Sequence, residues 1–307
     1  LVPADGSVLN TLTPAFSATF SDDRTGVDTA AVTVTLDGLA VAATVTAPGF
    51  SYQPAVDLTE GGHTLVVSIA DLAGNTQTAQ TSVTLDVTAP VISDLQPSDG
   101  TITNDNLAGI SASYADTGSG ININTVTLTV AGVDRTAEAV ITAQGISYTP
   151  AATYTDGNVV YIINVSDLTG NSTQVSATFT VDTKVPIIWD LTPLNGTFIR
   201  ILKPTFSGKF NDERSGIDFN SISIYLDNVP VSATLTPTSF SYTPGTNLQN
   251  GTHTLNTVLS DLAGNQCSAQ TSFVLDILPP EISNISPSDG SFISDNKVSI
   301  TAVYSDS

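Results

Sequence analysis

The sequence predicts an all-β chain of tandem β-sandwiches that repeat about every 95 residues. Three observations predict this: a turn motif that recurs at even spacing, alternating apolar and polar residues between the turns, and no segment with a helical period. The turn motif is Pro-x-Asp/Asn-Gly. Its prolines, at positions 3, 97, 193 and 287, lie 94, 96 and 94 residues apart.

A second pair of motifs closes each repeat. Asp-Leu-Ala/Thr-Gly-Asn begins at Asp71, Asp167 and Asp261, and an Asp-x-x-x-Pro junction follows at Asp86, Asp182 and Asp276. These motifs predict repeats at residues 1–88, 89–183 and 184–278, and a fourth at residues 279–307 that holds only its first strands. We therefore expect the chain to be a piece of a longer array. The alternative is that strands from another molecule complete the fourth repeat at an open edge.

Between the turns, apolar side chains occupy every second position, and Thr and Ser fill the positions between them. This period of two is that of a strand with one buried face. The apolar positions of the successive strands in repeat 1 are Phe16, Ala18 and Phe20; Val32, Val34 and Leu36; Phe50 and Tyr52; Leu65, Val67 and Ile69; and Val83 and Leu85. Each set recurs in repeat 2, and all but the fourth recur in repeat 3.

About seven short strands in a repeat of about 95 residues, with turn signals every 8–12, are typical of an immunoglobulin-like sandwich. The chain has a single cysteine, Cys267, so no internal disulfide can hold such a sandwich. We expect Cys267 to be a small residue at the start of a strand. The core must then consist of the recurring Phe, Tyr, Val and Leu side chains.

The succession Ser-Tyr-x-Pro, Gly-x-His-Thr-Leu, Asp-Leu-Ala-Gly-Asn and Asp-x-x-x-Pro resembles the bacterial Ig-like repeats of surface adhesins and other extracellular proteins. The resemblance covers essentially the whole chain and implies an extracellular location, either at the cell surface or secreted. Repeat 2 departs from the pattern, because Val159 stands where the other repeats have His63 and His253.

The charge excludes several classes of partner. The chain has 29 acidic and 8 basic residues, a formal net charge of −21. Eight scattered basic residues cannot form a nucleic-acid surface or attract anionic lipid. No apolar run approaches the ~20 residues of a membrane helix, so no membrane insertion is expected from this segment. The expected partners are neighbouring copies or repeats of the same protein, and host or matrix glycans or proteins.

The acidic residues cluster by position in the repeat, which predicts calcium at the joints. In an Ig-like fold, the loops after the second and sixth strands share the pole where the chain enters, so the junction Asp of one repeat should meet these loops of the next. Converging carboxylates repel one another unless a cation lies among them, and oxygen ligands alone suit Ca²⁺. The predicted groups are Asp86 with Asp116, Asn122 and Asp167; Asp182 with Asp212, Asp218 and Asp261; Asp276 with Asp306; and Asp22, Asp28 and Asp71 at the entry of repeat 1.

A structural explanation of the same acids stays open beside calcium. Asp and Asn before Gly form turns and cap their own backbone. For Asn75, Asn171 and Asn265, and for the Asp-Gly pairs at Asp5, Asp99 and Asp289, the turn is the favoured interpretation.

The pattern favours a structural function over catalysis. His63 and His253 occupy equivalent positions in different repeats, and no catalytic or phosphate-binding motif accompanies them, so no enzyme activity is predicted. We expect an adhesin stalk or a surface filament subunit. The alternatives are a glycan- or protein-binding adhesive module, with Tyr154, Tyr161 and Trp189 as the aromatic residues to consider, or an accessory region of a secreted enzyme. For Trp189, packing at a junction is the favoured interpretation.

Overall fold

The computed structural model describes residues 1–306, in which the chain forms 28 strands and two short 3-10 helices. The predicted fold class, tandem Ig-like β-sandwiches, is confirmed. The chain divides into two compact units: Leu1–Thr101 with Asp105–Val181, and Ile102–Asn104 with the chain from Asp182 onward. Three hydrophobic cores lie in residues 1–88, 89–183 and 184–278. The repeat boundaries stay predictions, because the compact units group the chain differently.

Repeat 1 contains two sheets that enclose the first core. Its strands are β1 (Ser7–Leu9), β2 (Phe16–Thr19), β3 (Val27–Leu36), β4 (Leu39–Ala40), β5 (Thr44–Thr46), β6 (Gly49–Tyr52), β7 (Gly61–Asp71) and β8 (Thr76–Leu85). One sheet has the order β1-β8-β7-β3-β4 and the other the order β2-β6-β5. The short β1 pairs with β8 in parallel, whereas β7 and β8 form an antiparallel hairpin.

Repeat 2 keeps this plan and includes both 3-10 helices, Ile123–Thr125 and Thr136–Glu138. Its strands are β9 (Val91–Gln96), β10 (Ile102–Thr103), β11 (Ile110–Ala115), β12 (Thr127–Val130), β13 (Val133–Asp134), β14 (Val140–Ile141), β15 (Gly145–Tyr148), β16 (Gly157–Ser166) and β17 (Ser172–Val181). Strands β17-β16-β12-β13 are neighbours in one sheet, and β14-β15-β11-β9 form the other.

Repeat 3 follows the same order of strands. They are β18 (Ile187–Thr192), β19 (Thr197–Ile199), β20 (Phe206–Asn211), β21 (Ile217–Leu226), β22 (Val229–Pro230), β23 (Thr234–Thr236), β24 (Ser239–Tyr242), β25 (Gly251–Asp261) and β26 (Gln266–Leu275). The sheets are β19-β26-β25-β21-β22 and β18-β20-β24-β23. Cys267 lies at the start of β26, as predicted, and packs against the third core.

The remaining described residues form a two-stranded sheet of β27 (Glu281–Ser286) and β28 (Thr301–Ser305). Ile300 and Tyr304, whose counterparts are buried in repeats 2 and 3, are 79% and 81% exposed here. Two strands offer no second sheet for these side chains to pack against.

The alternating apolar residues form the cores. In repeat 1, Phe16 and Phe50 from one sheet meet Leu65 and Val83 from the other, and all four are buried. Each large side chain that leaves water in this way contributes about 1.5–3 kcal/mol. Because both sheets contribute, each repeat from 1 to 3 has its own core between two layers.

The Pro-x-Asp/Asn-Gly motif forms the predicted turn. Gly6, Gly100 and Gly196 have φ of 77°, 79° and 77°, a conformation that favours glycine. The side chain before each glycine accepts a hydrogen bond from the last long strand, as Asp5 does from the Ser82 amide at 2.8 Å. The turn therefore anchors the start of each repeat to its end. No helix in residues 1–306 is long and apolar enough to cross a membrane.

Candidate metal sites

The structure brings together three of the predicted carboxylates in the first compact unit. Asp86 follows β8, Asp116 follows β11, and Asp167 follows β16. One carboxylate oxygen of each lies within 4.8 Å of the other two. Asp86 and Asp167 are 0% and 1% exposed, whereas Asp116 is half-buried. We call these three residues the first acidic cluster.

This spacing is compatible with a shared ion. Oxygen ligands lie about 2.3–2.6 Å from Ca²⁺, so two ligands of one ion are at most about 5 Å apart. Two buried carboxylates beside a third repel one another strongly, because little water screens their charge. A cation at the centre of the first acidic cluster would offset that repulsion.

Hydrogen bonds also hold each carboxylate, which is what the turn explanation requires. Asp86 accepts from the backbone amide of Ser119 at 2.6 Å and from that of Thr88 at 3.1 Å. Asp116 accepts from the amides of Gly118 and Gly120 at 3.1 and 2.7 Å. Turn formation and metal binding are compatible, since a carboxylate oxygen can accept a hydrogen bond and coordinate an ion through different lone pairs.

The Asp-Leu-Thr-Gly-Asn turn contacts the junction of the preceding repeat. The Asn171 side-chain amide donates to the Asp167 carboxylate at 2.6 Å and to the Asp86 backbone carbonyl at 3.2 Å. The Thr169 hydroxyl also donates to the Asp86 carbonyl, at 3.1 Å. Glycine supplies the positive φ in this turn, 95° at Gly170, which leaves the Asn171 side chain to bind the junction.

A second acidic cluster has the same plan and lies within the second compact unit. It consists of Asp182, Asp212 and Asp261, whose oxygens are also within 4.8 Å of one another. Asp182 accepts from the Ser215 amide at 3.0 Å, and the Asn265 side-chain amide donates to the Asp182 carbonyl at 2.8 Å. Two separate groups with one geometry agree with the periodicity of the sequence.

The pKa of one carboxyl in each cluster is lowered. Burial raises the pKa of Asp167, but hydrogen bonds from Asn171 and Thr169 outweigh it and give a net lowering. At Asp182 burial likewise opposes the shift, and the donors of Ser215, the Lys184 amide and the positive charge of Arg214 lower the pKa. Both groups are therefore anionic at neutral pH.

The remaining predicted residues lie outside these two clusters. Asn122 caps the helix Ile123–Thr125 by accepting from the Asn124 amide. Asp28 and Asp218 accept from amides two residues further on, in turns of their own loops. Asp276 does the same with the Leu278 amide, and Asp306 is exposed.

Asp22 and Asp71 lie at the entry of repeat 1, near enough for the Asp22 charge to act on Asp71. Asp22 accepts from three successive amides, those of Arg24, Thr25 and Gly26, which lower its pKa. No junction Asp precedes this pair in the described chain. A calcium role for Asp22, Asp28 and Asp71, and for Asn122, Asp218, Asp276 and Asp306, stays a prediction.

Each histidine is held by two hydrogen-bond acceptors, a feature that sequence reasoning missed. His63 Nδ1 lies 2.7 Å from the Asp37 carboxylate, and Nε2 lies 2.8 Å from the Thr59 carbonyl. His253 has the same partners in repeat 3, Asp227 and the Gln249 carbonyl. The signal was in the sequence: repeat 2 replaces both members of the pair, with Ala131 and Val159.

The fold thus defines a tandem Ig-like β-sandwich protein with acidic clusters at its repeat junctions. Residues 4–88 match the family model described as the bacterial Ig-like domain, so the predicted resemblance is confirmed. No curated protein matches the chain significantly.

Several solved structures are similar in fold. The I-band fragment I67–I69 of titin is 12% identical with a TM-score of 0.45, and the match covers 89% of this chain and 96% of that one. A tetra-tandem repeat in the extending region of a large adhesion protein is 20% identical with a TM-score of 0.35, covering 92% and 76%. The fibronectin(III)-like modules of CbhA from Clostridium thermocellum are 16% identical with a TM-score of 0.33, covering 59% and 92%.

Proposed function

We propose that this segment is a structural repeat region of an extracellular surface protein, an adhesin stalk or a filament subunit, in which calcium stiffens the joints. Its partners are then neighbouring repeats or copies, and it has no catalytic role. The observation that carries the proposal is the first acidic cluster, where residues of two consecutive repeats meet. Bacterial Ig-like repeats are typical of extracellular and surface proteins, which supports the location.

The stiffening follows from where the ligands originate. Asp86 belongs to the end of repeat 1, whereas Asp116 and Asp167 belong to loops of repeat 2. An ion bound to all three ties the exit of one sandwich to the entry of the next. The short junction with Pro90 adds to this restraint, since proline fixes its own φ.

The surroundings of the two histidines support a structural function over a catalytic one. Both nitrogens of His63 and of His253 are engaged by acceptors, so neither ring is available as a base or nucleophile activator. Tyr161, considered for a sugar-binding face, is 0% exposed and donates to the Pro97 carbonyl.

Thermal unfolding with and without calcium tests the proposal. In excess calcium the melting temperature should rise above that in excess chelator, because an ion that binds only the folded state stabilises it. Small-angle scattering in solution should show a narrower range of overall dimensions for the calcium form, because a stiffened joint samples fewer conformations. Equal melting temperatures together with unchanged dimensions would refute a calcium-stiffened joint.

Single substitutions locate the effect. Asp116→Asn should reduce the difference between the calcium and chelator melting temperatures, because it removes one negative charge while keeping an oxygen. Asp57→Asn is a matched control, since Asp57 is exposed and outside both clusters. The quantity compared between variants is the calcium-minus-chelator difference in melting temperature, not the melting temperature itself. The carboxylates also hold their loops through hydrogen bonds, so a substitution can lower both melting temperatures.

A second candidate function, an adhesive module that binds a glycan or a protein, is favoured by a cleft in repeat 2 next to Tyr154.

A further inference from the structure

Repeat 2 contains a cleft of about 180 Å³ at the side of its sandwich. The space equals about six water volumes and is smaller than the about 300–1,000 Å³ of drug-sized pockets. It therefore suits a ligand of one ring. The cleft is lined chiefly by Val130, Arg135, Glu138, Tyr148, Thr153 and Tyr154.

Three positions that line this cleft, and a fourth in β16, differ in repeat 2 from both other repeats. Arg135 replaces a core-packed valine, Val41 in repeat 1 and Val231 in repeat 3, as matching backbone hydrogen bonds show. Tyr154 replaces a core-packed leucine, Leu58 and Leu248. The other two changes are the His–Asp pair described above, which becomes Val159 and Ala131. Repeat 2 has thus gained a guanidinium and a phenol, and has lost the pair that a buried histidine forms with an exposed carboxylate.

The phenol of Tyr154 points to an absent partner. Its hydroxyl oxygen is buried and has no hydrogen-bond partner in the described chain, although its ring is held edge-on against Phe179 at 5.6 Å. A buried hydroxyl without a partner is costly, so such groups are usually satisfied. Burial, which is the largest cause, raises the pKa of Tyr154 to about 12. The group therefore stays protonated at neutral pH, so a ligand that reached this hydroxyl would meet a hydrogen-bond donor.

The polar groups of the cleft favour an uncharged ligand with several hydroxyls. Arg135 Nη1 donates to Glu138 Oε1 at 2.8 Å, so the guanidinium charge is already balanced. The paired side chains still offer free donors on one side and free acceptors on the other, which matches adjacent hydroxyl groups. A net charge of −21 also disfavours an anionic ligand. The partly exposed ring of Tyr154 supplies apolar area for the face of a ring.

We propose that this cleft binds a single sugar ring, either a free monosaccharide or the terminal residue of a glycan, through Arg135, Glu138 and Tyr154. The site goes beyond the structural function and is independent of calcium at the joints. It would make repeat 2 an adhesive element within an otherwise structural array.

Ligand-observed saturation-transfer NMR on the whole chain tests the site. The probes are the methyl glycosides of glucose, galactose, mannose and N-acetylglucosamine at millimolar concentration. At least one should receive saturation from the wild-type protein. Arg135→Val and Tyr154→Leu should each weaken the binding of that glycoside by about tenfold or more. A tenfold loss of affinity corresponds to about 1.4 kcal/mol. A glycan array with the same proteins distinguishes a terminal residue of a glycan from a free sugar.

The two variants carry their own control for folding, because they introduce the residues that repeats 1 and 3 have at the same positions. Asp57→Asn, in repeat 1, should leave binding unchanged. Should Tyr154→Leu prove unstable, Arg135→Val still decides, since Arg135 lies at the surface. The proposal is overturned by either of two results: no saturation of any glycoside, or binding that neither variant weakens.

Discussion

The carboxyl group of Asp86 lies directly against the α-carbon of Gly118 in the following repeat. A Cβ placed on Gly118 would lie 2.3 Å from the carboxyl carbon of Asp86. Asp86 is 0% exposed and is held by the Ser119 amide, so its side chain has little room to move. The glycine therefore makes room for the junction carboxylate.

Gly118→Ala should destabilise the first compact unit by about 1–3 kcal/mol, the usual cost of an overpacked site. The methyl group must displace Asp86 and break its hydrogen bond to Ser119. Urea unfolding of the whole chain measures the change. Gly62→Ala is the matched control, because a Cβ there meets nothing within 4 Å. A Gly118→Ala protein as stable as the Gly62→Ala protein would show that Asp86 adapts freely.

Arg214 occupies in repeat 3 the loop position of Gly118, and this difference should make the two clusters unequal. The positive charge of Arg214 lowers the pKa of Asp182, whereas the loop from Asp116 to Gly120 has no basic residue. If calcium binds, we expect the first acidic cluster to bind it more tightly, because a nearby cation competes electrostatically with the ion. Arg214→Gly should then strengthen binding at the second cluster, as measured by calorimetric titration with calcium. Arg24→Gly, at the same loop position in repeat 1, is the control. An unchanged titration of Arg214→Gly would contradict this ranking.

The pKa values of His63 and His253 should lie above the ordinary histidine value of 6.5. Burial lowers the pKa of His63, but hydrogen bonds to Asp37 and the Thr59 carbonyl give a net increase. Both partners are acceptors, so both ring nitrogens must carry a proton to satisfy them. A folded pKa above the unfolded one stabilises the protein fully below the unfolded pKa, and this contribution is lost as pH rises through the folded pKa.

The free energy of unfolding should therefore fall as the pH rises from below 6.5 through the folded histidine pKa. The double variant Asp37→Ala, His63→Val copies repeat 2 and should flatten the contribution of repeat 1, leaving that of repeat 3. NMR titration of the imidazole protons checks the pKa directly. Histidine pKa values at or below 6.5 in the folded protein would be inconsistent with this account.

The sequence predicted those features that depend on period and topology, and missed those that depend on one side chain's direction. Alternation located the buried faces, and the known sharing of a pole by two loops grouped Asp86, Asp116 and Asp167. The sequence did not distinguish these three residues from Asp218, which lies in the same kind of loop but accepts a hydrogen bond from the nearby Asn220 amide. Which way a carboxylate turns depends on donors a few ångströms away, and spacing along the chain does not encode them.

Tyr161 shows that a hydrogen bond to the proline of the Pro-x-Asp/Asn-Gly motif is kept in all three repeats although the donor residue changes. Its hydroxyl donates to the Pro97 carbonyl at 2.6 Å, and the equivalent bonds in repeats 1 and 3 come from Thr81 to Pro3 and from Thr271 to Pro193, at 2.9 and 2.8 Å. The donor has moved across one strand pair: Tyr161 lies opposite Ala177, whereas Leu65 lies opposite Thr81. Tyr161→Phe should thus cost about 1–3 kcal/mol, because it leaves the carbonyl without its donor.

The strand pair also provides a rescue for this prediction. Tyr161→Leu alone should destabilise by more than Tyr161→Phe, since it also removes packing against Phe179, with ring centroids 6.4 Å apart. Adding Ala177→Thr copies the arrangement of repeat 1 and should recover part of the loss by donating to Pro97. A double-mutant cycle in urea isolates the coupling, for which contacting residues typically give about 0.5–3 kcal/mol. Strict additivity of the two changes would mean that the hydroxyl bond to Pro97 contributes nothing measurable, and that packing alone explains the tyrosine.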